Sequence, residues 1–378
     1  MWLLIKILEI VYDDPEAGGG LETFALNLSH FLSRKGFSIT FLYNKSYNKN
    51  KRLKSLPHKI NKIGLGSKVF QGFPSFLNKI IYNLWIYFYV LKNRNNFDLY
   101  HINGDNGAFI TTIKGIKTIM TWHGSSLLAF KKRELSLIGK ISLTIKGWLE
   151  IFGSRRSSVV TSVSPSLLKY IKKVSKRNDI ILIENFVDTD RYIPANKTLK
   201  RSKLGLDQNK IYAIWVGVDA KRKRLDFVIS LIKAHEDIHL IAIGGTSHYY
   251  NSSNIKLLGY IQEDLLIEYY QASDIFIFPS VYEGFSIAVI EAMACGVVPV
   301  LSKAVAESIP GLIDGGNCFV ADNDNDYEKI LTNIERNPTL LKSMSIEARK
   351  LAENYSLDIK GVKYEEIILK LMYHTNCA

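Results

Sequence analysis

An α/β protein of two doubly wound domains is the fold the sequence predicts, and three observations predict it. Short apolar runs rich in β-branched residues alternate with stretches of helical spacing along most of the chain. Strands separated by helices pair in parallel, and a parallel sheet takes helices on both faces. The alternation comes in two sets, one in each half of the 378 residues, a length that exceeds one ordinary core.

In the first half, Ile5–Val11 reads as a buried first strand. It is too short and too interrupted for a signal peptide or a membrane span. The Gly18-Gly19-Gly20 turn and a helix from about Glu22 to Arg34 follow. Ser38–Tyr43, Leu99–Ile102, Thr118–Thr121 and Val159–Val163 are further short buried strands. In the second half the strands are Ile211–Gly217, His239–Ile243, Ile255–Leu258, Ile275–Phe278 and Val298–Leu301, with helices between. The polar stretch 194–210 marks the entry to a second domain, so the boundaries are 1–192 and 193–355. In such sheets ligand belongs at the carboxyl edges of the strands, here in a cleft between the two domains.

Charge divides the chain unevenly. Lys and Arg number 49 against 36 Asp and Glu, a net +13. Residues 1–190 hold 28 against 13 and residues 191–378 hold 21 against 23, so the excess lies in the first half. Between Glu22 and Asp98 stand 13 basic residues and no acid. No zinc-finger spacing, RNA-binding aromatic motif or heptad-linked basic region accompanies them, which speaks against nucleic acid. An anionic membrane surface or a lipid-phosphate acceptor fits the block better, with a solvated basic face as the plain alternative. Inside it, Phe70, Phe73, Phe76, Leu77, Ile80, Ile81, Leu84, Trp85, Ile86, Phe88, Tyr89 and Leu91 form a helix-like segment flanked by Lys68, Lys79, Lys92 and Arg94. Either it is buried between sheet and helix, or part of it lies in a membrane interface. Cys295, Cys318 and Cys377 fit neither a disulfide framework nor a metal site, and a reducing cytoplasm suits them.

Glu283 and Glu291 stand eight positions apart in Phe278-Pro279-Ser280-Val281-Tyr282-Glu283-Gly284-Phe285-Ser286-Ile287-Ala288-Val289-Ile290-Glu291-Ala292-Met293-Ala294-Cys295-Gly296. An apolar strand precedes the run and helical spacing follows. Glu283-Gly284-Phe285-Ser286 is therefore the turn that opens a helix, and a little over two turns puts both carboxylates near one side. Backbone N–H groups at a helix start bind phosphate, and a carboxylate two turns on accepts hydrogen bonds from sugar hydroxyls. A nucleotide-sugar satisfies both.

The run resembles the signature of the retaining GT-B glycosyltransferases of family 4: an acidic residue, Gly-Phe, a small residue, and a second Glu followed by Ala-Met-Ala-x-Gly-x-Pro-Val. Here it ends in Val298-Pro299-Val300. The resemblance implies two facing Rossmann-like domains, an acceptor-binding domain over 1–192 and a nucleotide-sugar-binding domain over 193–355. It also implies a last helix, 356–378, that packs back on the first. Asn185-Phe186-Val187-Asp188 is similar to the family's Asn-Gly-Val-Asp junction, with Phe186 in place of Gly.

Other positions then acquire expected roles. Gly19 and Gly20 resemble the family's Gly-Gly-x-Glu loop beside donor phosphates and acceptor, where missing side chains allow close backbone approach. His123, just past a strand, matches the family's substrate-binding His, and His101 is a weaker second candidate. The family pattern of Gly-Arg followed by a Lys maps onto Gly217, Val218 and Lys223, five positions after Val218, so Val218 departs from it. Lys223 is the expected phosphate cation, with Arg222 either beside it or at the surface. Fixed cations there stabilise a leaving diphosphate as its charge develops. Gly259, Tyr260 and Ile261 match the segment that meets the nucleotide base, with Gly244-Gly245 in the preceding turn. Glu291 is expected on the ribose, Glu283 near the transferring sugar, and the backbone of Gly284, Phe285 and Ser286 at the phosphate. Catalytic roles fall to Glu283, Lys223 and His123.

No Asp-x-Asp motif follows a strand as in metal-dependent transferases, so no metal or other cofactor is expected. The expected partners are a nucleoside-diphosphate sugar, a glycan or lipid-linked acceptor and an anionic membrane surface, at the inner face of the cell membrane. A sugar-phosphate synthase or phosphorylase-like enzyme with a soluble acceptor is the first alternative. A degenerate transferase serving as a scaffold, suggested by Val218 alone, is the second.

Overall fold

The computed structural model describes residues 4–17, 19–45, 60–66, 75–131, 136–217, 222–244 and 252–373. Chain contacts divide it into two units, Met1–Asn185 with Leu357–Ala378, and Phe186–Ser356.

Unit 1 runs β1 (Lys6–Ile10), α1 (Gly20–Arg34), β2 (Ser38–Asn44), β3 (Asn61–Leu65), α2 (Ser75–Asn93), β4 (Leu99–Asn103), β5 (Thr118–Trp122), α3 (Ser126–Lys131), α4 (Leu137–Ser154), β6 (Val159–Ser162), α5 (Pro165–Ser175) and β7 (Ile181–Leu182). The sheet order is β3-β2-β1-β4-β5-β6-β7, every pair parallel. β1, β4 and β5 are almost wholly buried, as strands covered on both faces must be. β3 and β7 have no counterpart among the sequence-predicted strands. β3 is an edge strand whose Asn, Lys and Gly residues carry little strand signal, and β7 is two residues long.

The aromatic segment is buried along one side of its helix. α2 turns Lys79, Tyr82, Asn83, Ile86 and Val90 inward, while Leu84, Phe88 and Leu91 face solvent. Lys79, expected as a flanking cation, is buried instead: its ammonium sits 3.2 Å from Asp105 and 3.8 Å from the Tyr12 ring centre. Phe70, Phe73 and Lys68 lie outside the described residues.

Unit 2 runs α6 (Lys197–Leu204), β8 (Ile211–Gly217), α7 (Leu225–Lys233), β9 (Ile238–Gly244), β10 (Ile255–Gly259), α8 (Glu263–Ala272), β11 (Ile275–Phe278), α9 (Ile287–Ala294), β12 (Val298–Ser302), α10 (Lys303–Ala306), β13 (Phe319–Ala321), α11 (Asp324–Arg336) and α12 (Leu340–Glu353). Its order is β10-β9-β8-β11-β12-β13, again parallel throughout. The unanticipated β13 is three residues at the sheet edge.

The last helix, α13 (Leu357–Tyr373), belongs to unit 1. Its Tyr364 hydroxyl is 3.2 Å from Thr121 Oγ1 on β5 and 3.1 Å from Thr161 Oγ1 on β6. Gly361 lets the helix close on Phe31 of α1, since a Cβ there would stand 3.0 Å from the ring. The junction falls after Asn185, seven residues before the sequence-based boundary at 192. Phe186, Val187 and Tyr192 are buried in unit 2, where Val187 N–H bonds Tyr355 O at 3.0 Å and Arg349 donates to the carbonyls of Tyr192 and Thr189.

Candidate functional site

In unit 2, the sheet order reverses between the adjacent strands β8 and β11, and crevices form at the carboxyl ends of strands at such a switch point. The segments that follow these two strands carry the predicted residues. Gly217 closes β8, and Arg222 and Lys223 come five and six residues later; Val218 lies outside the described residues. A Cβ on Gly217 would stand 2.5 Å from Lys223 Cδ and 2.9 Å from the Trp215 ring, so the missing side chain is the space that the lysine stem crosses. Gly244 clears the same ground from β9: at φ +101° a Cβ there would meet Gly217 O at 2.0 Å. Lys223 Nζ ends 4.8 Å above the Phe278 ring, and the Trp215 indole N–H donates to Lys223 O at 3.2 Å.

Arg222 is turned toward the segment that follows β11. Its guanidinium donates to Glu283 Oε1 at 2.5 Å, Tyr282 O at 2.5 Å and Ser280 Oγ at 3.3 Å, while its carbonyl accepts from Val281 N–H. Ser280 Oγ also donates to Glu283 Oε1 at 3.0 Å. Arg222 thus fastens the turn after β11 to the segment after β8. Ser280 joins the site without any sequence signal beyond its place before Glu283.

The glutamate pair brings a correction. α9 begins at Ile287, so Glu283 lies, as the sequence predicts, on the turn that opens the helix, but the count of helical turns that put it on one side with Glu291 does not apply. Ser286 is the N-cap and makes no side-chain cap bond, while Phe285 is buried with its ring 5.3 Å from Tyr355. Glu291 is 6 % exposed and accepts a hydrogen bond from Tyr270 OH at 3.3 Å. Burial, reinforced by the Glu291 charge, holds the Tyr270 and Tyr192 phenols well above their usual range. Gly259, at φ +61°, ends β10 at the sheet edge, and Tyr260 and Ile261 follow it, all three half-buried. Arg224 takes φ +55° at the start of α7 and is held there by a two-pronged bond to Asp324 at 2.7 and 2.8 Å.

Unit 1 gathers its predicted residues at the carboxyl ends of β1, β4 and β5. His123 follows β5, and its Nε2 lies 2.8 Å from Asn103 Oδ1. Asn103 Nδ2 donates to Glu9 Oε1 at 2.6 Å and Ile10 O at 3.2 Å, which fixes the amide with its oxygen toward His123. His123 is therefore the Nε2–H tautomer, and its Nδ1 is a buried acceptor without a partner among the described residues. Burial, with His101 adding, pushes the His123 pKa down to about 3, so the ring is neutral at physiological pH. Phe24 packs on it edge-on at 4.6 Å.

His101 stands elsewhere than its candidacy implied. It is 3 % exposed, with Nδ1 donating to Glu9 Oε2 at 2.9 Å and Nε2 lying 2.7 Å from Thr121 Oγ1. It is a strut inside the sheet. Glu9 and Asn103, which orient His123, escaped the sequence reading; the signal was a carboxylate inside an otherwise apolar strand.

Gly19 is covered by its own helix. Glu22 Oε2 occupies the place of a Cβ on Gly19, 2.2 Å from that point, whereas a Cβ on Gly20 would meet nothing within 4 Å. Burial, with the Asp13 charge adding, pushes the Glu22 pKa up to about 7. Among the described residues no group of three or more His, Cys, Asp and Glu could hold a metal ion. Cys295 and Cys318 are buried free thiols. Asp188 caps its own turn, accepting from Asp190 and Arg191 N–H.

The family model described as "Glycosyl transferases group 1" matches residues 196–351, and that described as "Glycosyltransferase Family 4" matches residues 18–191. Alpha-galactosylglucosyldiacylglycerol synthase of Streptococcus pneumoniae is 24% identical over 230 residues, 56% of this chain and 60% of that protein. The chain thus spans less than two thirds of that relative. Sucrose-phosphate synthase from Thermosynechococcus elongatus superposes with a TM-score of 0.85 at 17% identity, over 98% of this chain and 100% of that one. Anabaena HepE in complex with UDP-glucose superposes at 0.75 and 16% identity, over 96% and 99%.

Proposed function

The chain is a family 4-like GT-B glycosyltransferase, and from that premise we propose that it moves a sugar from a nucleoside-diphosphate sugar to a glycan or lipid-linked acceptor with retention at the anomeric carbon. The observation that carries the reading is the Arg222-fastened turn: it sets the Glu283 carboxylate and the backbone before α9 at the carboxyl end of β11, while Lys223 crosses the neighbouring strand end. A cation fixed over two glycines and the N–H groups of a helix start are what a diphosphate leaving group needs. Glu291 would take the ribose hydroxyls and Glu283 the transferring sugar.

No carboxylate is assigned as a nucleophile. In the proposed step the acceptor oxygen bonds to the anomeric carbon on the face from which the diphosphate oxygen departs. The acceptor proton passes to a phosphate oxygen, and Lys223 offsets the charge left on the nucleoside diphosphate. Unit 1 would hold the acceptor, with His123 Nδ1 accepting from a sugar hydroxyl. The reaction needs no metal. No helix among the described residues is long and apolar enough to cross a membrane, and we place the enzyme at the cytoplasmic face of a membrane as a peripheral protein. The diacylglycerol named in the S. pneumoniae relative supports a lipid-linked acceptor.

The test is a donor screen over UDP-, GDP- and ADP-sugars, scored by nucleoside diphosphate release, with the anomer of the first-formed product read by NMR. Release from one donor class with the donor's own anomeric configuration is expected. Inversion would refute retention, and release of inorganic phosphate or consumption of it would favour a phosphorylase-like enzyme.

A further inference from the structure

Two residues other than glycine take a positive φ among the described residues, Lys176 at 59° and Arg224 at 55°. Lys176 ends α5, where a left-handed residue is ordinary. Arg224 begins α7, a place where the backbone is usually extended and a short polar side chain caps the free N–H groups. Arg224 makes no such cap bond. Left-handed backbone is unfavourable for any residue with a Cβ and easy for glycine, so the backbone gains nothing from an arginine here. What arginine contributes is its guanidinium.

That group is anchored on α11. Nη1 and Nη2 donate to Asp324 Oδ1 and Oδ2 at 2.8 and 2.7 Å, and the guanidinium lies 4.2 Å over the Phe227 ring. The hydrogen bonds from Arg224 hold the Asp324 carboxyl below its ordinary range. Asp324 opens α11, whose start is closed by a capping box of Asn323 and Asp326. α11 is tied to α7 at further points. Tyr327 meets Phe227 edge-on at 5.4 Å, and Glu335 and Glu328 lie 2.8 and 3.0 Å from the ring nitrogens of His235, two residues past the end of α7. Asp324 is therefore a fixed anchor and not a loose surface carboxylate.

The residue so held adjoins Lys223. On the other side of Lys223, Arg222 is fastened to Glu283, so the lysine stands between two arginines, each bound to a carboxylate on a different segment. With α7 fixed, rotation about the N–Cα bond of Arg224 would swing Lys223 as a body, and with it the stem that crosses Gly217. We propose that Arg224 and Asp324 are positioning residues: the pair holds the left-handed turn that aims the Lys223 ammonium at the departing diphosphate. The proposal rests on the reading of Lys223 as the phosphate cation. Magnitudes separate this role from plain support of the fold. The Arg224 and Asp324 side chains are 30 and 58 % exposed, and ion pairs so placed add little to stability. Displacing a catalytic charge by about 1 Å, by contrast, lowers a rate by up to about 10²-fold. Loss of the pair should show in turnover and hardly in melting.

Steady-state kinetics with the active donor, titration calorimetry with UDP, GDP and ADP, and melting curves make the test. Asp324→Ala and Arg224→Ala should each lower turnover about ten-fold and weaken diphosphate binding, with the melting temperature nearly kept. Arg224→Gly should recover most of what Arg224→Ala loses, because glycine takes the same φ without a clamp. Asp324→Ala should add nothing further when combined with Arg224→Gly, since the turn then no longer needs the pair. Nor should it add anything beside Lys223→Ala, where no ammonium is left to aim. Full turnover and affinity in Asp324→Ala overturn the proposal, as does an Arg224→Gly chain as slow as Arg224→Ala, or an Asp324→Ala loss that persists in full beside Lys223→Ala. A wild-type chain that binds a diphosphate but turns over no donor sinks the transferase reading, and the same combinations scored by affinity still decide the role of the pair. A wild-type chain that binds none of the three diphosphates overturns the phosphate role of Lys223 and the proposal with it.

Discussion

Lys223 is positioned by what Gly217 lacks. Its stem crosses the strand end where any Cβ would stand 2.5 Å from it, so Gly217→Ala must move the lysine or the buried Trp215 ring. Lys223→Ala should lower turnover by roughly 10²-fold, the scale of losing one fixed donor to a developing anion. Gly217→Ala should lose up to about 10²-fold by misplacing the same charge. Steady-state kinetics with the active donor checks both, and near-normal turnover in the alanine variant at 223 would move the phosphate role elsewhere. The two glutamates should fail in different ways. Glu291, buried against Tyr270, sits on the helix, and Glu291→Ala should weaken nucleoside diphosphate binding by about 1–3 kcal/mol in titration calorimetry. Glu283, on the turn, should when replaced by Ala lower turnover with the diphosphate affinity nearly kept. Equal losses in both quantities for both variants would undo the division.

At the scale of elements, α4 holds a carboxyl group whose titration should be measurable. Burial, with Asp105 adding, pushes the Glu150 pKa up to about 8 from the ordinary 4.5. Between those values the folded protein binds more protons than the unfolded chain, so this group's contribution to stability is full below about pH 4.5 and is lost as pH rises through about 8. Glu150→Gln removes that loss. Its melting temperature should gain on the wild type steadily from about pH 5 to 8.5, and a constant difference would contradict the shift. The elements themselves were legible where period and composition agreed: ten strands of the sequence reading recur within a residue or two, because buried parallel strands are nearly continuous apolar runs. β3 was not, since Asn61-Lys62-Ile63-Gly64-Leu65 forms a strand through its partner β2 and not through its own preference. α2 was read as an apolar helix-like segment with Lys79 as a flanking cation. In fact Asn83 Oδ1 accepts from the N–H groups of Gly107 and Ala108, and Lys79 and Asn83 are both buried. Of the site, the motif residues could be placed, but Arg222 could not. Its partner depends on β8 and β11 being neighbours, a fact of topology and not of spacing.

At the scale of the molecule, α13 closes unit 1 although 171 residues of unit 2 come between it and the rest of that unit. Leu357, Tyr364 and Ile368 are buried there, Lys360 pairs with Glu184 at 2.9 Å, and Tyr364 completes a polar chain through Thr121 and His101 to Glu9. Every one of these partners lies in unit 1. Removal of residues 357–378 should therefore uncover the apolar side of α1 and leave the Thr121 and Thr161 hydroxyls short of a partner, while no hydrogen bond of the Glu283 turn is touched. A chain of two units need not melt in one step. Calorimetry of the intact protein and of the chain ending at Ser356 should show one transition lowered or abolished and the other kept, and the kept one should still rise in temperature with nucleoside diphosphate, because a ligand that binds only the folded form stabilises it. Tyr364→Phe is the milder version: two hydroxyl contacts are lost without a cavity, about 1–2 kcal/mol from the same transition. If truncation instead lowered the nucleotide-responsive transition, the donor site and the C-terminal helix would share one cooperative unit, and the assignment of α13 to unit 1 alone would fail.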